Sequence, residues 1–438
     1  MAVGTITNGR LHVEIVHRFP NGPVERNGGL YWPHEQIWDE TCAGLAKVGP
    51  YDSVGVDSWG VDYVLLDSHG QVLDGMRHYR DPRNDGIMQQ LVAEQGDRIY
   101  GQTGIQFLPF NTLFQLRADN VDRPEALAGA KNLLMVPDYF HWKLSGELSN
   151  ELTDASTTQM LDPRSRRWSG EMLDQAGVLA SLLRTLSSAG DQLGKVQQGL
   201  PGAGARVILP GTHDTASAVA AVPAEGDDWA YVSSGTWSLV GVELPEPIIN
   251  DAARQGGFTN EIGIKKTIRF LKNMTGLWIL QECRRAWGNP DYADLYGAAA
   301  KVEDAPSFDP DDPCFMATGD DMPERVMRCA GSQNDDQAFV TRAIFNSLAA
   351  KTAEILDQLE TITGRKIERV HVVGGGSQID LLNQLIADAS GRQVIAGPTE
   401  ATLIGNILVQ AEACGSIPAG SIRETVKRSF ETKTYKPA

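Results

Sequence analysis

A chain of 438 residues, 42% of them hydrophobic, has apolar material for two or three cores at the rough allowance of about 150 residues per domain. Its formal charge of −17, with no Lys/Arg run, opposes binding to nucleic acid or to an anionic membrane, and no stretch approaches the roughly 18 apolar residues of a membrane span. The opening MAVGTITNGR has no charged region followed by an apolar one, and the five scattered cysteines (Cys42, Cys283, Cys314, Cys329, Cys414) form no C-x-x-C pair, so a cytoplasmic protein with free thiols and a small-molecule substrate is expected.

Apolar alternation predicts a strand over Leu11 to Phe19, a turn-rich stretch, and a helix from Pro33 to about Val48. Val54 to Asp67, VGVDSWGVDYVLLD, predicts strand segments bent near Gly60, which would bring Asp57, Trp59 and Asp62 to one rim, with SHGQ closing a hairpin. From Asp81 to about Leu200 the pattern is mainly helical, interrupted at Pro109, Pro137 and Pro163. Arg206 to Val222 reads as a strand, a glycine turn and a helix of small residues starting near Asp214.

After the acidic turn PAEGDD, the segment WAYVSSGTWSLVGVEL predicts two strands around a Ser/Gly/Thr turn, and the turn divides the chain into domains 1–222 and 223–438. A long amphipathic helix follows over about Asp335 to Thr363, with Val340, Ile344, Leu348, Ile355, Leu359 and Ile362 on one stripe. RVHVVGGG then gives a strand ending in three glycines, and the next helix shows Ser377 and Asp380 in capping-box spacing before a stop at Gly391.

His213-Asp214-Thr215 lies where a strand hands over to a helix, so Asp214 is either a general base in a crevice at the strand ends or the N-cap of that helix. Ser233-Ser234-Gly235-Thr236 is either an anion-binding nest or an ordinary hairpin turn. Gly374-Gly375-Gly376 lets a nucleotide approach the backbone ahead of a helix N-terminus, although neither a Walker A nor a G-x-G-x-x-G pattern is present. Asn273, Gly276 and Gln281 fall within two helical turns and are either site residues or a solvated face. Tyr79-Arg80-Asp81, Phe110-Asn111-Thr112 and Pro137-Asp138-Tyr139 read first as helix caps, and of the eight histidines only His213 stands at a candidate site.

Taken in order, GVDSWGVDYVLLD, GIQFLPFNTLFQL, PDYFHWKLSGE, GTHDTASAV, YVSSGTWSLVG, LKNMTGLWILQ and VVGGGSQIDLLNQLIADASG resemble the rhamnulokinase group of the FGGY carbohydrate kinase family, from about His12 to near the C-terminus. The resemblance implies an α/β fold of two RNase H-like, actin/hexokinase-like domains around a central cleft, and phosphoryl transfer from MgATP to the 1-hydroxyl of L-rhamnulose. It implies Asp214 as catalytic base, Gly60, His213, Thr215 and Asn273 with Asp214 as sugar contacts, and Thr236, Gln281 and Gly375 as nucleotide contacts. ATP and Mg2+ are the implied cofactors, with the metal's ligands unassigned, and a monomer or weak homo-oligomer is expected.

The family's D-x-G-x-x-S-G-R type phosphate loop has no counterpart in MAVGTITNGRLHVEI. Met1 is therefore expected to be an internal methionine of the strand after that loop, about 15 to 25 codons downstream of a true start. The alternatives are a catalytically impaired sugar- or nucleotide-binding remnant, or a kinase for another ketose.

Overall fold

Asn8 and Gly9 both adopt positive φ, at 52° and 70°, and this tight turn folds the first residues into an antiparallel hairpin of Ala2–Thr7 with Arg10–Ile15. The first predicted strand is thus shorter than Leu11 to Phe19 and has a partner upstream of it; Asn-Gly between alternating apolar residues is the hairpin signal that marks it. These coordinates are a computed structural model that describes residues 1–438. No helix in it is long and apolar enough to cross a membrane.

The chain divides into two units. The first comprises Met1–Ala221, Glu243–Phe270 and Thr402–Ser429, and the second comprises Val222–Val242, Leu271–Ala401 and Phe430–Ala438. The first crossing falls at Val222, and two later segments return to the first unit, so neither unit is one continuous stretch.

In the first unit a three-stranded sheet runs Gln192–Lys195, Arg206–Ile208, Ser53–Val54, the last two strands parallel. Tyr63–Leu66 pairs with Asn132–Met135; Tyr63 and Leu65 join side chains of the helices Ile87–Thr103 and Thr112–Asp122 in one apolar cluster with Leu113, Phe114 and Leu116, while Val64 and Leu66 pack on the opposite face with Trp32 and Phe140. The expected bend lies at Val61, whose φ is 68°. Asp62, however, is not on a rim. It is fully buried and accepts hydrogen bonds from the indoles of Trp32 (2.6 Å) and Trp59 (3.0 Å), from Tyr79 N (3.2 Å) and from Gln115 (2.9 Å), which satisfies a carboxylate that burial would otherwise penalise.

The second unit is built on the strand Trp229–Ser234, antiparallel to Trp237–Leu244 on one side and parallel to Arg369–Val373 on the other. Gln393–Ala396 and Lys433–Tyr435 extend that second side. The long helix runs Gln337–Thr363, two residues inside its expected start. Asp336 caps it by accepting from Ala338 N (3.0 Å) and Phe339 N (3.1 Å), and Val340, Ile344, Leu348, Ile355 and Leu359 are buried along its stripe while Ile362 is half-buried.

The capping box expected at Ser377 does not form. The Ser377 hydroxyl donates to Gly374 O (2.7 Å) within a 3-10 turn over Gly375–Gln378, and Asp380 is the first residue of the helix Asp380–Ser390, bound to Lys433 (2.8 Å). A local hydroxyl-to-carbonyl bond wins because the glycine turn brings that carbonyl within reach. The expected stop holds, with Gly391 at φ 64°.

Candidate functional site

In the first unit the backbone sets Asp214 in place. Ser58 and His213 form a parallel bridge, with Ser58 N donating to Thr212 O (2.9 Å) and Asp214 N donating to Ser58 O (2.8 Å). The Asp57–Gly60 segment and the His213–Thr215 turn therefore run side by side, and Gly60, His213, Asp214 and Thr215 are gathered in one place. Gly60 is buried where a Cβ would lie 2.8 Å from Thr157 Oγ1, so only glycine fits there without a shift.

His213, not Asp214, occupies the cap position of the helix Asp214–Ala220, and neither makes a side-chain cap bond. The helix-cap alternative for Asp214 is therefore set aside on geometry. Its carboxylate is 44% exposed, accepts from Thr215 Oγ1 (3.1 Å) and faces His213 Nε2 at 3.6 Å. As the first residue of a helix it also sits where the macrodipole favours negative charge.

The His213 ring is fixed from behind. Its Nδ1 lies 2.9 Å from Arg269 Nη2, and Arg269, fully buried, is itself paired with Glu261 at 3.0 Å. The Glu261 carboxylate also lies 3.3 Å from Nδ1, so two groups orient the ring and leave Nε2 on the side where Asp214 lies. Arg269 and His213 hold the Glu261 carboxyl below its usual range despite its burial.

The turn is also pinned from below. Glu151 Oε2 accepts from Thr212 Oγ1 (2.7 Å), Thr212 N (3.2 Å), Thr153 N (2.9 Å) and Thr153 Oγ1 (2.5 Å), and His213 N donates to Thr153 Oγ1 (3.2 Å). Asp138 and Asp154 share this interior with Glu151; burial raises all three, and the neighbouring carboxylates add to the rise of Asp138 and Asp154. Asp138 is not the expected cap: it lies inside the helix Val136–Ser145, which has no side-chain cap, and accepts from Asn150 Nδ2 (3.1 Å) and Glu151 N (3.0 Å) of the neighbouring segment. Asp81 caps a short 3-10 turn through Arg83 N (3.0 Å), whereas Asn111 makes no side-chain cap bond and donates to Gln106 O (2.8 Å) instead.

Asp57 lies beside this turn. Burial pushes its carboxyl up to about 7, partly offset by the hydrogen bond from Asn406 Nδ2 and reinforced by the charge of Asp214. The folded chain thus holds a proton that the unfolded chain releases near about pH 3.9. This contribution to stability is full below about pH 4 and is lost as pH rises through about 7. Asp57→Asn keeps an acceptor for Asn406 and cannot ionise, so it is expected to gain stability relative to the parent as pH rises from 5 to 8. Urea midpoints at the two pH values check this; a difference that does not change with pH would remove the assignment.

In the second unit, Thr236 donates through Oγ1 to Gln281 Oε1 (3.3 Å), and Thr236 O accepts from Gly276 N (3.2 Å) and Trp278 N (3.2 Å). The turn after Trp229–Ser234 is thereby docked on the start of the helix Trp278–Ala286. The Gly235 N–H bonds Trp237 O (2.9 Å), so that amide serves the hairpin and not an anion nest. Asn273 is half-buried in the strand Ile268–Thr275, not on a helix face. Thr236, Gln281 and the glycine run converge here, because Gly374 packs against Ser234.

The three glycines differ. Gly374 has φ 81° and ψ −167°, and a Cβ on it would lie 2.8 Å from Ser234 O; Gly375 has nothing within 4 Å of its would-be Cβ. Gly374→Ala is expected to destabilise the fold by about 1–3 kcal/mol, since that backbone region is essentially closed to L side chains. Gly375→Ala should leave stability unchanged, and a raised KM for ATP would then report a nucleotide at that open face. Thermal melts and initial rates separate the two variants.

Of the residues missed at the sequence level, Arg269, Glu261 and Glu151 hold the Asp214 turn from distant segments, and Asn406 holds Asp57 beside it. Arg269 alone carried a local signal: an arginine inside the apolar strand run IRFL.

Comparison with known proteins defines the class. Residues 32–221 match the N-terminal domain, and residues 230–414 the C-terminal domain, of the FGGY family of carbohydrate kinases. The chain belongs to this family, ATP-dependent sugar kinases with a two-domain actin/hexokinase-like fold. Its relatives include the rhamnulokinase of Bacteroides thetaiotaomicron, 39% identical over 99% of this chain and 93% of that one, and the rhamnulokinase of Enterococcus faecalis, 40% identical over 98% and 90%. Among solved structures, a ligand-bound xylulose kinase from Lactobacillus acidophilus superposes with a TM-score of 0.78 at 17% identity, covering 98% of this chain and 90% of that one. Plasmodium falciparum glycerol kinase with ADP gives 0.76 at 15% identity over the same shares. These two show the fold.

Proposed function

We propose that the chain transfers the γ-phosphoryl group of MgATP to the 1-hydroxyl of L-rhamnulose, giving L-rhamnulose 1-phosphate and ADP, as a cytoplasmic step of L-rhamnose breakdown. The observation that carries the reading is the Asp214 carboxylate: solvent-reachable, set at a strand-to-helix turn, and flanked by a histidine whose ring is held from behind by Arg269 and Glu261. Relatives at 39% and 40% identity that are rhamnulokinases support the choice of sugar.

Asp214 takes the hydroxyl proton as the oxygen attacks phosphorus, which phosphoryl transfer requires at one position only. His213, Thr215, Gly60 and Asn273 are assigned to the sugar, with His213 Nε2 on the Asp214 side. Thr236, Gln281 and Gly375 are assigned to the nucleotide, and the open space at Gly375 suits a flat base or a ribose edge. Mg2+ prefers hard oxygen donors, and Asp57 and Asp214 offer two carboxylates close enough for the charge of one to raise the pKa of the other. When bound, the ion would neutralise charge on the transferring phosphate.

ADP release measured with L-rhamnulose, L-fuculose, L-ribulose and xylulose tests the assignment. The highest kcat/KM is expected for L-rhamnulose. A higher value for another ketose would reassign the sugar, and sugar binding without ADP release would make the chain a binding protein.

A further inference from the structure

Two thiols and a carboxylate from separate turns of the second unit meet outside the residues assigned to the reaction. Cys314 sits in the 3-10 turn Pro313–Phe315, and Cys329 ends the helix Met322–Cys329. Their sulfurs lie 3.4 Å apart, and one ligand atom from each of Asp312, Cys314 and Cys329 falls within 4.8 Å of the others.

The cluster is held by its own framework. Asp312 Oδ1 accepts from Cys314 N (2.9 Å), which fixes the Asp-Pro-Cys turn, and Arg325 ties the connecting loop by donating to Cys314 O (3.1 Å) and Ala317 O (2.7 Å). The separation of the sulfurs discriminates between two fates. Tetrahedral zinc with bonds of about 2.3 Å sets two sulfurs about 3.8 Å apart, a small adjustment from here. A disulfide requires about 2.05 Å and a much larger approach.

We propose that Asp312, Cys314 and Cys329 form a site for a thiophilic divalent cation of the zinc type, with water in the fourth position. Binding exchanges two thiol protons for the cation, with no change of oxidation state, and clasps the 3-10 turn to the end of the helix. This site is independent of the sugar and nucleotide assignments.

Titrating the reduced, metal-free, full-length protein with Co2+ tests it. One equivalent is expected to give a thiolate-to-cobalt charge-transfer band that Zn2+ abolishes by displacement, and both Cys314→Ser and Cys329→Ser should lose it. Cys42, Cys283 and Cys414 remain in both variants, so a band that survives in either would overturn the site, as would no band in the parent. A second readout needs no variant: Zn2+ should protect Cys314 and Cys329, and no other cysteine, from alkylation in the parent. Unprotected thiols at saturating Zn2+ would overturn the proposal.

Discussion

Asp214→Asn is expected to lower kcat for L-rhamnulose by about 10²- to 10⁴-fold, the range for removing a general base, while sugar KM changes little. Asparagine keeps the shape and an acceptor for Thr215 Oγ1 but takes no proton. Steady-state rates across pH check it: the limb of the profile that reports ionisation of the base should disappear. Turnover within a few-fold of the parent would show that the proton leaves by another route.

The largest effect on stability is expected from Arg269→Leu. Arg269 is fully buried and is the counter-charge of Glu261, which is 7% exposed. Removing the guanidinium leaves a buried carboxylate uncompensated, a loss of about 3–5 kcal/mol. It also removes one of the two groups that hold His213 Nδ1, the other being Glu261 at 3.3 Å. Urea unfolding of Arg269→Leu and of the double variant Arg269→Leu/Glu261→Leu separates the terms. The double variant should recover much of the lost stability, because it removes the orphaned charge, and should not recover turnover. A single variant as stable as the parent would show that Glu261 finds another partner.

How much of this was legible in the sequence depended on the range of the interactions involved. The strand, glycine turn and helix around Gly374 to Gly391, the long helix ending at Thr363 and the paired strands around Ser234 are set by local periodicity and turn chemistry, and they stand close to where the pattern puts them. Where two local signals competed, the sequence misled: Ser377 has the right spacing for a capping box, yet a carbonyl three residues back was nearer. Asp62 read as a rim residue because its strand bends, but its four donors come from residues as far apart as Trp32 and Gln115. The family motifs named Asp214 and His213, whereas the groups that orient them, Ser58, Glu151 and Arg269, arrive from distant segments, and no local pattern encodes such a meeting.

The discontinuity of the first unit bears on how the protein is made. Asp57 is joined to Asn406, 349 positions further along the chain, and His213 waits for Arg269. A nascent chain released as far as Val222 holds Asp214 but neither of these partners. The Asp214 turn therefore matures only when synthesis is nearly complete, and fragments cut at that boundary should emerge as aggregation-prone halves, not as working domains.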